Sequence, residues 1–217
     1  MKTLLTAATV AIASFGTMGS AATIALDSAV PTIAVAPGSP AGQDFVPELL
    51  AAGVTHLYSG PISLIAANRP SRVTFDLVGA ESGFNDSLSL NGDKIIAENQ
   101  NGSAADFLTD TLVGGLGLDS FTFDWMGGDL ASLLSFSNGP QTFTSADDEF
   151  GVFANSADIA NLSVFFLGFD DSGANNDDNH DDILVRVEIS AVPVPASGLL
   201  LLGGLGGLAA MRRRKKA

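Results

Sequence analysis

The densest chemistry in the sequence is the stretch "GFDDSGANNDDNHDDILVRVEI", Gly168–Ile189. Asp170, Asp171, Asp177, Asp178, Asp181 and Asp182 fall within 13 residues, with Asn175, Asn176, Asn179 and His180 among them. Carboxylates this close repel one another at neutral pH. Either the loop splays into water as a solvated turn that keeps a sheet end soluble, or a hard cation compensates it. Ca²⁺ takes 6–8 oxygen ligands, and Asp and Asn oxygens on a flexible loop suit it. The candidate ligands are Asp170, Asp171, Asp177, Asp178, Asn179, Asp181 and Asp182. Asp177, Asn179, Asp181 and Glu188 also match positions 1, 3, 5 and 12 of an EF-hand loop. That motif is rejected: its sixth position is Asp182 rather than Gly, and the chain from Ile183 alternates like a strand, leaving no exit helix. A calcium loop of another kind, packed on a sheet edge, stays open beside the solvated turn.

Other reactive groups are sparse. Asp147-Asp148-Glu149 precedes "FGVF" and reads first as a solvated turn, second as a contributor to a cation site. Of the two histidines, His56 alternates in "VTHLYSG" as a surface or edge residue. His180 lies inside the acidic loop, where carboxylates favour its protonated form or where it supports a metal. One imidazole is thin for catalytic zinc. No Gly-x-Ser-x-Gly elbow follows a strand. The absence of cysteine excludes disulfides, thiolate zinc sites and a cysteine nucleophile within this chain. A carboxylate pair for glycoside hydrolysis is a matter of spatial rather than sequential spacing. The single Trp125 and single Tyr58 argue against an aromatic-rich sugar cleft. The expectation is a protein that is not an enzyme.

The elements that must position the acidic loop read as short strands. "RVTFDLVG" alternates Val73, Phe75 and Leu77 against Thr74 and Asp76. "SLSLNGDKII" holds two strands about Asn91-Gly92, a dipeptide favoured in tight hairpins. "FTFDW", "FGVFA" and "LSVFFLGF" add strands, and "LLSFSNGPQTFT" has strand character on both sides of Asn138-Gly139-Pro140. "ILVRVEI" alternates Ile183, Val185, Val187 and Ile189 against Leu184, Arg186 and Glu188, so one face is expected to be buried. "FVPELLAAG" is expected to make two helical turns ending at Gly53, and "GGDLASLLSF" to give a strand near Leu134 and Phe136. The stretch from Asn99 to Gly117 reads as a long loop with one strand near Leu108–Val113. Regular short strands with Gly, Asn and Asp at the turns predict an all-β antiparallel sandwich, jelly-roll-like, or a barrel.

Both ends read as address labels. "MKTLLTAATVAIASFGTMGSAA" has Lys2, a 12-residue uncharged run from Leu4 to Phe15, and small residues at "GSAA". This is the pattern of a signal peptide cut by signal peptidase after Ala21 or Ala22. The division is then residues 1–22 signal, 23–190 β body and 191–217 tail. All 24 acidic residues lie between Asp27 and Glu188, whereas the body keeps only Arg69, Arg72, Lys94 and Arg186 of the 10 basic ones. Four against 24 leaves the body at −20, more acidic than the −14 of the whole chain. Such a body repels nucleic acid, whose binding needs basic side chains on the phosphates. It favours solubility and divalent cations.

The tail, "VPVPASGLLLLGGLGGLAAMRRRKKA", joins a Pro-x-Pro step to a Gly/Leu run and five cations. As a helix, Ala196 to Met211 would be roughly 24 Å long at 1.5 Å per residue, short against a hydrocarbon core of about 30 Å. Under the positive-inside rule Arg212, Arg213, Arg214, Lys215 and Lys216 would stay cytoplasmic. This tail resembles the C-terminal sorting signals of PEP-CTERM proteins, in particular the VPLPA-CTERM variant, with Val194 where that variant usually has Leu. "VTFDLVGAESGFNDSLSLNG" and "FLGFDDSGANNDDNHDDILVRVEI" are similar, more loosely, to body segments of the same family. The resemblance implies export through the Sec pathway of a Gram-negative bacterium and transient anchoring in the inner membrane by a C-terminal transmembrane helix. It implies an exosortase as partner, cutting near the sorting motif Val192, Pro193, Val194, Pro195 and Ala196. The body would then reach the cell surface or an extracellular matrix, with a structural or adhesive role in an exopolysaccharide or biofilm layer. The alternatives are a calcium-dependent glycan-binding module and a secreted glycan-active enzyme.

Overall fold

The computed structural model describes residues 22–28, 33–34, 46–66, 70–80, 86–97, 120–155, 157–171, 180, 182–192 and 204. The first half runs β1 (Ile24–Ser28), β2 (Ile33–Ala34), α1 (Val46–Ala51), β3 (His56–Ser59), β4 (Ile62–Ala66), β5 (Ser71–Ala80), β6 (Ser87–Leu90) and β7 (Asp93–Ala97). The second runs β8 (Ser120–Trp125), β9 (Gly128–Asp129), β10 (Leu134–Ser137), β11 (Thr142–Thr144), β12 (Phe150–Ala154), β13 (Val164–Phe169) and β14 (Ile183–Ala191). The described chain is therefore all-β, with almost no helix. Its strands form a seven-stranded sheet ordered β2-β3-β12-β13-β14-β5-β8, a three-stranded sheet β1-β4-β9 and a four-stranded sheet β11-β10-β6-β7. Every pairing between these strands is antiparallel.

One core joins the three sheets. The alternate residues Val73, Phe75 and Leu77 of β5 and Val185, Val187 and Ile189 of β14 meet Leu26 and Leu64 of the small sheet and Leu88 and Phe136 of the four-stranded one. Phenylalanine does much of the joining. The Phe136 ring stacks on Phe169 at 5.0 Å and meets Phe150 at 5.3 Å, which fastens β10 to β13 and β12. Truncating a ring so enclosed costs about 3–5 kcal/mol.

The hairpin β6–β7 turns at Asn91 (φ 53°) and Gly92 (φ 84°), the left-handed pair that a two-residue hairpin requires. The helix expected before Gly53 is α1, and Gly53 ends it at φ 87°. Near Asp129 the chain makes a single 3₁₀ turn, Ala131–Leu133, before β10. The Asp129 carboxylate accepts the Ala131 N–H at 3.1 Å, and the strand expected near Leu134 and Phe136 is β10.

The alternation in "ILVRVEI" needs one correction. Ile183, Val185, Val187 and Ile189 face the main core as expected, but Leu184 and Arg186 on the opposite face are buried too. The reason is that β14 lies inside the sheet, between β13 and β5. Over its outer face a second apolar cluster forms from Leu57, Val78, Phe153, Phe166 and Leu184 beneath Leu49 of α1.

Residues 1–21, which carry the expected signal segment, and the strand expected near Leu108–Val113 lie outside the described residues. Among the described residues no helix is long and apolar enough to cross a membrane. Of the run Ala196–Met211, only Gly204 is described.

Candidate metal centre

Two adjacent strands deliver the acidic loop's two ends to one place. β13 ends at Phe169 and hands over Asp170 and Asp171, while β14 starts at Ile183 and is preceded by Asp182. Gly168 faces Leu184 in the ladder, and the Asp182 N–H donates to the Phe169 carbonyl at 3.1 Å, so the strands stay zipped up to the acids. The Asp171 N–H then donates to Asp182 Oδ2 at 2.7 Å. The carboxylates of Asp170, Asp171 and Asp182 each offer one oxygen, and these oxygens lie within 4.8 Å of one another.

These groups do not stand out in water. Asp170 and Asp171 are buried and Asp182 is half-buried. Asp86, just before β6, is fully buried, and its charge acts on Asp182. Burial pushes the Asp182 carboxyl up to about 8. The hydrogen bond from Asp171 pulls the other way, and the charges of Asp171, Asp170 and Asp86 push up further. Among the described residues, the charges that act on Asp182 are thus other carboxylates.

The spacing fits a calcium ion. With Ca–O distances of about 2.4 Å, two oxygens on opposite sides of one ion lie about 4.8 Å apart. Three carboxylate oxygens inside that limit can share one ion. They would supply part of a shell of 6–8 oxygens. The remaining candidate ligands Asp177, Asp178, Asn179 and Asp181 lie outside the described residues.

Neighbouring loops hold the cluster through their backbones. In Asp147-Asp148-Glu149, Asp147 Oδ2 accepts the Thr144 N–H at 2.7 Å and closes its own turn. The Glu149 carbonyl accepts the Asp170 N–H at 3.0 Å, and the Asp148 carbonyl accepts His180 Nε2–H at 2.7 Å. The tripeptide therefore serves the site with carbonyls; its carboxylates are not among the three that converge. His180 is likewise not one of the converging groups. Its ring lies over Gly151 instead.

Asn138 was legible only as a turn residue, yet it is buried and ties a second hairpin to the site. Its Oδ1 accepts the Gln141 N–H at 3.0 Å, and its Nδ2 donates to the Asp171 carbonyl at 3.1 Å. Asp86 gave no sequence signal. His56 is half-buried, with Nδ1 2.8 Å from Thr55 Oγ1. Trp125 and Tyr58 are buried, so neither presents a ring to a sugar.

Of the expected sorting motif, Val192 is described and half-buried, one residue beyond the end of β14 at Ala191. Pro193, Val194, Pro195 and Ala196, and the cluster Arg212, Arg213, Arg214, Lys215 and Lys216, lie outside the described residues. No protein-family model, no curated protein and no solved structure matches the chain.

Proposed function

We propose that this chain is an exported, non-enzymatic β-domain of a bacterial surface or extracellular matrix, fastened by calcium at the root of its last hairpin. The observation that carries the calcium is the convergence of Asp170, Asp171 and Asp182 within 4.8 Å, two of them buried. Like charges gathered in a poorly solvated place cost folding energy unless a proton or a cation joins them. A matrix outside the cell supplies the cation. In this reading the fold is a jelly-roll-like sandwich, with the seven-stranded sheet as one layer.

Export, passage through the inner membrane and sorting by an exosortase rest on the two ends of the sequence. The leader has signal-peptide form, and "VPVPASGLLLLGGLGGLAAMRRRKKA" resembles a VPLPA-CTERM signal. The position of the motif is consistent with processing, because the last strand stops at Ala191 and leaves the Pro-x-Pro step beyond it. Mass spectrometry of the protein from cells with and without the sorting enzyme tests this. The expected mature chain lacks Arg212–Lys216 only when the enzyme is present; an intact basic tail on surface-located protein refutes sorting.

A calcium-dependent glycan-binding role is the second reading. A half-open cleft of about 440 Å³ lies between the end of α1 and β13. Val54, Val164 and Phe166 give it apolar walls, and Asn155, Asp158 and Asn161 give it hydrogen-bonding groups, the mixture a sugar requires. Retention on the organism's own polysaccharide, present with Ca²⁺ and absent with chelator, would favour that reading over a purely structural one.

A further inference from the structure

The chain reaches Asp182 by an unusual route. His180 is buried, and its backbone adopts φ 62°, in the left-handed region that Asn, Asp and His take more often than other side chains. It packs on the outer face of the seven-stranded sheet, against two glycines that face each other directly across β12 and β13, Gly151 and Gly168. A Cβ on Gly151 would come within 2.7 Å of the His180 ring and 2.9 Å of Leu57. A Cβ on Gly168 would meet the His180 carbonyl oxygen and the Phe153 ring, both closer than van der Waals contact allows. Only this bare pair admits the segment so close to the sheet.

The imidazole completes the clamp. Since the Asp148 carbonyl can only accept, His180 Nε2 carries the proton of their 2.7 Å hydrogen bond. Nδ1 has no hydrogen-bond partner among the described residues, so the ring is held by that one bond and by packing. Two residues later, Asp182 is locked by its N–H on Phe169 and by the Asp171 N–H on its Oδ2.

We infer that His180 is a positioning residue for the cation site: seated in the Gly151–Gly168 notch and bonded to Asp148, it holds Asp182 against Asp170 and Asp171. The inference rests on the calcium reading above. Outer residues that orient ligands contribute about 10–100-fold to metal affinity.

The test is Tb³⁺ titration of the full chain, as wild type, His180→Ala, His180→Gln and Gly151→Ala, reading affinity and luminescence lifetime in H₂O and D₂O. Gln retains an N–H that can reach the Asp148 carbonyl. The expected result is affinity lowered about 10-fold or more in His180→Ala, with more water on the ion, and recovery of most of both in His180→Gln. Gly151→Ala, which keeps the imidazole but pushes it off its seat, is expected to follow His180→Ala and decides the matter should that variant not fold. Wild type that binds Tb³⁺ beside His180→Ala or Gly151→Ala with unchanged affinity and lifetime overturns the inference alone. Wild type that binds no Tb³⁺ overturns the calcium reading and the inference together.

Discussion

The seven-stranded sheet carries two groups of carboxylates, one set beside an arginine of its own strands and one in which the described groups are all acids. On the outer face, Arg186 of β14 sits directly across from Asp76 of β5. Its guanidinium lies 3.7 Å from Asp76 Oδ2 and donates to Glu188 Oε2 at 2.9 Å, while the Ser120 hydroxyl donates to Asp76 Oδ1 at 2.6 Å. At the sheet's end, the charges that act on Asp182 come from Asp171, Asp170 and Asp86, all of one sign. One group contains its own cation, Arg186. In the calcium reading, the other gathers ligands for a cation supplied from solution. The same residue type is thus structural in one place and receptive in the other, and the partner decides which.

Among single substitutions, breaking the Arg186 group should have the largest effect. Arg186→Met removes the cation and leaves Asp76 buried, which costs about 3–5 kcal/mol when one member of a buried pair is lost. Urea unfolding of the variant would measure it. Adding Asp76→Asn should restore part of the loss, since the stranded charge is then gone.

Withdrawing the external cation should come next. Moving from Ca²⁺ at 100 times its dissociation constant to excess chelator should remove about 2.7 kcal/mol. Thermal unfolding would show it as a lower Tm, whereas magnesium would restore less, because Mg²⁺ demands shorter bonds in a stricter octahedron.

The pH dependence separates the two groups further. Asp182 has its folded pKa raised from 3.8 to about 8. The folded state therefore holds a proton that the unfolded chain has released. Stability is greatest below pH 4 for this group, falls as pH rises through the window from about 4 to about 8, and is level above it. The limiting slope is about 1.4 kcal/mol per pH unit. With chelator, Tm should fall across that window; with saturating Ca²⁺ the fall should flatten, since the cation replaces the proton. An equal fall in both conditions would break the comparison.

The smallest effect is expected at Arg72. It donates to Asp124 at 2.9 Å, but both side chains are about half exposed. Exposed pairs contribute little, so Arg72→Ala should leave Tm unchanged within error.

How much of this was legible in the sequence follows from distance along the chain. The hairpin at Asn91-Gly92, the short helix before Gly53 and the alternation of β5 are local, and local chemistry wrote them plainly. The acidic loop announced itself by composition, and its two ends, Asp170-Asp171 and Asp182, are the part that β13 and β14 bring together. The contributions of Asp86 and Asn138 were hidden, because a buried polar residue has no signature until its distant neighbour is known. Gly151 and Gly168 read only as strand glycines; that they face each other beneath His180 depends on the register of β12 against β13. Arg186 and Asp76 are 110 positions apart, so their pairing too is a fact of register rather than of pattern.

Everything above the fold rests on calcium uptake by Asp170, Asp171 and Asp182. Calorimetric titration of the full chain with Ca²⁺ at neutral pH tests it most directly. The expected result is a saturable binding heat with a raised Tm, both lost in Asp182→Asn, whose amide oxygen can still accept the Asp171 N–H. No heat, together with an unchanged Tm at millimolar Ca²⁺, would contradict it.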